Sequence, residues 1–155
     1  MKLFQTNMLR EKLVLIALEW QEIFGNAPSI TAALSEYDAA RLVGMSDELY
    51  SAEMKHHSVV TKGFDFRFGE KRYQVKACRP SGRPGSKITN VPKANNYEWD
   101  YLVWIMYNQQ YEIEESWLFD VEDYRQKFAS KSRLSPADMR SGTNLLTRSV
   151  AKHVS

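Results

Sequence analysis

The stretch GFDFRFGEKRYQVKA, residues 63–77, decides the fold. It divides at Gly69-Glu70 into two alternating segments, and glycine at the first central position predicts a two-residue hairpin turn of type II′. That turn places Asp65 opposite Gln74. Side chains alternate along a strand, so Phe64, Phe66, Tyr73, Val75 and Ala77 are expected on a core face. Asp65, Arg67, Arg72, Gln74 and Lys76 then share the other face, where an acid, an amide and an amine collect within a few ångströms.

Working outward, Leu9, Leu13, Ile16, Ala17, Trp20 and Ile23 recur at helical spacing and predict an amphipathic helix over 7–24, ended by Gly25-Asn26. Ser29 is a candidate cap for a second helix running to about Val43 and stopped by Gly44. From Met45 to Lys62 the pattern is weak. After the hairpin, residues 78–96 carry two Pro-flanked glycine turns and no hydrophobic period, which predicts a long loop. WDYLVWIMY, 99–107, is apolar enough throughout for a central buried strand, and YEIEESWLF, 111–119, is expected to follow it as another. Asp120 can cap a helix over 121–129, and Ser135-Pro136 signals a short helix ending near Gly142. The expected fold is a single α/β domain over 1–155, with a small mixed sheet of about four strands flanked by helices.

Glu36 stands out on the second helix, because its i±3 and i±4 neighbours are Ala32, Ala33, Ala39 and Ala40. An alanine patch lets a helix approach a sheet closely and leaves the carboxylate at the contact. An alanine-rich segment of good helix propensity, with Glu36 at its rim, is the plainer reading.

Charge is unevenly distributed, although the chain is nearly neutral at +2. Residues 71–93 carry seven Lys/Arg and no acid, 94–123 carry eight Asp/Glu and no Lys/Arg, and 124–155 carry seven Lys/Arg against Asp138 alone. A basic loop and a basic tail suit a phosphate backbone, while solvated surface is the usual fate of charge runs. Cys78 is the single cysteine, which excludes an intrachain disulfide and a thiolate metal cluster. The chain lacks a long apolar run and a signal-peptide layout, so a cytoplasmic protein without membrane contact is expected.

Taken in order, the helix bearing Glu36, GFD with Asp65, and YQVKA with Gln74 and Lys76 resemble the PD-(D/E)XK nuclease superfamily, over roughly residues 29–119. The resemblance implies the restriction-endonuclease-like fold, preceded by the helix over 7–24 and followed by a helical basic tail over 120–155. It places Asp65 at the central metal-binding position and Lys76 at the catalytic lysine. Gln74 occupies the place usually held by Glu or Asp, in the manner of members with a QxK motif whose upstream helix contributes a glutamate, here Glu36. Phe64 stands where the family has proline. Mg²⁺, with Mn²⁺ as substitute, would be held by Asp65, the Gln74 amide, the Val75 carbonyl and Glu36. Arg79, Arg83, Lys87 and Lys93 are the candidate phosphate contacts. The aromatic residues from Tyr97 to Tyr107 read mainly as core, with Tyr97 and Trp99 placed to stack on bases. The expected activity is metal-dependent hydrolysis of DNA phosphodiesters, and double-strand cutting by so small a chain implies a homodimer. A nucleic-acid-binding module of the same fold without turnover, and a small protein-interaction domain, remain the alternatives.

Overall fold

The computed structural model describes residues 2–57, 63–81 and 83–147, with side chains from residue 8 onward. The elements follow in the order α1 (Lys2–Phe24), α2 (Thr31–Leu42), α3 (Asp47–His56), β1 (Phe66–Phe68), β2 (Lys71–Cys78), β3 (Tyr101–Tyr107), β4 (Ile113–Asp120), α4 (Val121–Phe128), α5 (Pro136–Met139) and β5 (Thr143–Asn144). This is a mixed α/β fold with one five-stranded sheet in the order β1-β2-β3-β4-β5, one strand more than expected. β2 and β3 run parallel and every other neighbouring pair is antiparallel.

A parallel pair needs a long crossover, usually a helix. Here residues 79–81 and 83–100 belong to it as irregular chain, tied down by the Val91–Leu134 bridge. Loops of that length persist in a domain when their own side chains are buried, and Val91, Ala94 and Trp99 are. They pack with Trp104, Phe119, Tyr124 and Phe128 on one face of the sheet. The opposite face carries Val75, Val103, Ile105 and Tyr107 against Leu34, Ala39 and Ala40 of α2. β3 is apolar throughout because it is covered on both sides.

The hairpin register is as expected, with Phe66 facing Tyr73 and Phe68 facing Lys71. Its turn differs, since Gly69 and Glu70 both have positive φ, 59° and 64°, which is the type I′ signature rather than II′. The regular ladder also stops one residue early. Asp65 turns inward, and its N–H donates to the Tyr73 carbonyl at 2.8 Å instead of pairing opposite Gln74. Asp65 and Phe66 thus both address Tyr73, in the manner of a bulge, and the alternation shifts by one. Phe64 accordingly packs with the Trp104 cluster and not with Phe66 and Val75.

Other departures have equally local causes. α2 begins after Ile30 without a side-chain cap, so Ser29 does not serve as one. The weak segment after Met45 contains α3, whose cap is the Ser46 hydroxyl accepting from the Leu49 N–H, with Asp47 and Glu48 in the first turn. Asp120 caps α4 as expected, accepting from the Asp123 N–H at 2.8 Å, and Ser135 with Asp138 forms a capping box on α5. The basic tail beyond residue 147 lies outside the described residues.

α1 overturns the expected facing. It rests on the body through Arg10, Val14, Ala17 and Gln21, while Leu9, Leu13, Ile16, Trp20 and Ile23 are exposed. A buried charge cluster decides the orientation. Arg10 donates from Nε and Nη2 to the Asp38 carboxylate at 2.7 and 2.8 Å, and the Tyr107 hydroxyl donates to Asp38 at 2.6 Å. One bidentate pair therefore fixes α1, α2 and β3 together.

Because Asp38 is nearly fully buried, removing it strands the Arg10 cation and the Tyr107 hydroxyl. Asp38→Ala should lower unfolding free energy by about 3 kcal/mol or more in urea denaturation. A loss below about 1 kcal/mol, the range of an exposed pair, would show that the cluster is not what seats α1.

Candidate active site

Asp65 owes its position to a strand edge that runs out. Beyond the Phe66–Tyr73 pair, the Val75 N–H of β2 has no main-chain acceptor from β1, and the Asp65 carboxylate takes that place, accepting at 2.7 Å. Hydrogen bonds between strands lie near the plane of the sheet, so the carboxylate is held in that plane. It can then be approached from both faces. Gly63 allows the chain to arrive there: its φ is 91°, and a Cβ would lie 2.2 Å from the Glu98 carboxylate.

From one face comes Glu36. It lies on α2, which packs over β2 and β3, and its carboxyl stands within hydrogen-bonding reach of that of Asp65. The alanine surround is only half a contact: Ala39 and Ala40 are completely buried, whereas Ala32 and Ala33 are exposed. Glu36 sits at that boundary, half-buried. From the other face comes Lys76, which alternates away from Val75 and whose charge favours ionisation of Asp65. Gln74 shares the Lys76 face, one residue from the N–H that holds Asp65. The fold thus brings Glu36, Asp65 and Lys76 together around the backbone of Val75, with Gln74 beside them.

Two carboxyls this close cannot both ionise freely. Burial first, and then the neighbouring Asp65 charge, pushes the Glu36 carboxyl up to about 7. Burial also raises Asp65, against the opposing pull of the Val75 N–H and Lys76. Near neutral pH Glu36 is therefore held close to the midpoint of its titration. Among the described residues, no group of three or more His, Cys, Asp or Glu side chains is arranged for a metal. The oxygen donors at hand, two carboxyls and the Gln74 amide, suit a hard divalent cation that keeps several waters.

Two further residues lie near the pair, Tyr50 within α3 and His57 at the C-terminal cap of that helix. Burial and the nearby Glu36 and Asp65 charges raise the Tyr50 hydroxyl well above its ordinary range, which places it beside the pair. His57 lies close enough for its charge to favour ionised Asp65, and its ring meets Phe64 edge-on at 6.0 Å. The Ser46-Asp47-Glu48 cap signal could have located the helix carrying them.

The four basic candidates separate into two kinds. Arg79 is engaged inside the fold, donating to Gln109 O and Gln21 Oε1 with its guanidinium 4.0 Å from the centre of the Tyr111 ring. Lys93 closes the end of α4 on the Ala129 and Lys131 carbonyls, at 3.2 and 2.6 Å. Arg83 and Lys87 are exposed on the crossover. Trp99 is buried, its Nε1 donating to Asn96 O, whereas Tyr97 is half-buried beneath Arg125. A cleft of about 830 Å³ between the end of α1 and the start of the crossover is lined by Arg79 and Arg83 but not by the carboxyl pair.

Comparison with models of known protein families and with curated proteins finds no match. No helix among the described residues is long and apolar enough to cross a membrane.

The shared proton has a measurable signature. Carboxyl ¹³C shifts should show Glu36 titrating near 7, and Asp65→Asn, which keeps an acceptor for the Val75 N–H, should bring it down towards its ordinary 4.5. Because the folded chain holds this proton more tightly than the unfolded chain, the contribution favours folding at low pH and is lost as pH rises from about 4.5 through 7. An unmoved Glu36 in Asp65→Asn would separate the two carboxyls.

Proposed function

We propose that this protein is a metal-dependent nuclease of the PD-(D/E)XK type, with a restriction-endonuclease-like fold, that hydrolyses DNA phosphodiesters in the cytoplasm. The observation that carries the proposal is the Glu36–Asp65 carboxyl pair beside Lys76, built on the edge of a sheet whose next two strands are parallel. Asp65, Gln74 and Lys76 occupy the positions at which the E…D…QxK pattern puts its functional groups, and Glu36 supplies the acid of the preceding helix.

Mg²⁺ bound there would polarise a non-bridging phosphate oxygen and acidify a bound water. Glu36 and Asp65 would provide its negative ligands, and the neutral Gln74 amide would add an oxygen without charge. The Val75 N–H keeps Asp65 from rotating out of place. Lys76 faces the developing charge on phosphorus, where an ammonium stabilises the transition state as water adds and the ester oxygen departs. Arg83 and Lys87, exposed on the crossover, offer phosphate contacts that hold the backbone against the edge.

Lys76→Ala separates catalysis from binding. It should lower Mg²⁺-dependent cleavage of plasmid DNA by about 10² or more while changing salt-sensitive DNA affinity by only a few fold. Gln74→Glu, which restores a charged ligand, should keep or raise the rate. Binding by all three proteins with cleavage by none would favour a recognition module without turnover. Cleavage that persists undiminished in Lys76→Ala would remove that residue from the reaction.

A further inference from the structure

The exposed face of α1 is the feature that the site does not use. Leu9, Leu13, Ile16, Trp20 and Ile23 follow one another at alternating spacings of four and three, the a/d seam of a coiled coil, and are 66, 36, 59, 51 and 65% exposed. The helix cannot turn this seam inward, because Arg10 and Gln21 on its other side are bonded to Asp38 and Arg79. The seam spans about 21 Å along the helix axis. So large a contiguous apolar surface marks an interaction site.

Charges flanking the seam identify the occupant. We propose that α1 docks antiparallel on α1 of a second copy of this chain, about a two-fold axis passing near Ile16. In the heptad set by the seam, Lys12 and Glu19 both fall at g positions, immediately beside the apolar stripe and both exposed. Antiparallel pairing sets g against g, so Lys12 of each copy meets Glu19 of the other, and the complementarity occurs twice. Parallel pairing would instead set Lys12 against Ala17 and Glu19 against Phe24, with no charge partner. The self-complementary order of opposite charges about Ile16 is what an isologous two-fold interface requires. The same pairing brings Trp20 of one copy over the rim of an apolar groove of about 240 Å³ that Leu9 and Leu13 line together with Tyr37 and Tyr50. A large aromatic side chain entering such a groove is the expected anchor.

The proposal concerns association and does not depend on the nuclease reading, so its test needs no activity. Sedimentation equilibrium of the full chain across the micromolar range should give a reversible dimer. Trp20→Ala should weaken it by about tenfold or more. Lys12→Glu and Glu19→Lys should each weaken self-association by roughly tenfold, since like charges then meet twice. An equimolar mixture of those two variants, and the double variant carrying both changes, should recover dimerisation to within a few fold. Far-ultraviolet circular dichroism checks that each variant is folded, which is expected because every altered side chain is exposed. A monomer across the range, whether or not it binds lipid vesicles through the same face, would overturn the proposal. So would a dimer indifferent to the charge exchanges.

Discussion

The hydrogen bond from the Val75 N–H to the Asp65 carboxylate is the constraint on which the site depends. An edge strand only three residues long leaves the next strand's donors without acceptors, and the open donor must find a partner or be solvated. A side-chain carboxylate meets that need while bringing a negative charge into the plane of the sheet. Once there, Asp65 is accessible from α2 on one face and from Lys76 on the other. A fully laddered strand would have directed Asp65 to one face alone. The short edge, the inward turn after Gly63 and the three-residue grouping of Glu36, Asp65 and Lys76 are consequences of one geometric fact.

The two acids of α2 show how neighbouring positions acquire different roles. Glu36 and Asp38 are two residues apart and therefore project well apart around the helix. Asp38 faces α1 and β3, where Arg10 and Tyr107 satisfy both its oxygens. Glu36 faces the sheet edge, where its neighbour is another carboxyl and burial pushes its own titration up to about 7. The first acid stabilises the arrangement of helices. The second is held at an electrostatic cost that a bound cation would relieve, the kind of local conflict expected where function and stability diverge.

The hairpin register, the buried β3, the β4 that follows it, the Asp120 cap and the long crossover were all legible in the sequence, because each rests on local chemistry or a strong hydrophobic period. The close approach of the Glu36 helix to the sheet was legible in part, through the alanines of which Ala39 and Ala40 are buried. What was not legible depends on tertiary context. The apolar stripe of α1 reads as core, yet a single Arg10–Asp38 pair turns it outward. The bulge-like turn at Asp65 has no strong local signature, and it moves Phe64 across the sheet. Arg79 and Lys93 resemble phosphate contacts until the carbonyls they hold are known, since a basic residue in a loop carries no mark of its partner. β5, two residues long, falls below any period that a sequence can display.

The proposal turns on whether a divalent cation binds at the Glu36–Asp65 pair and displaces a proton from it. Calorimetric titration of the protein with Mn²⁺ in two buffers of different ionisation enthalpy measures the protons released on binding. Below the Glu36 midpoint of about 7, binding should release close to one proton per ion, and above it the release should fall towards zero. Binding should also be lost in Asp65→Asn. Mn²⁺ that fails to bind, or that binds with no release on either side of pH 7, would contradict the account.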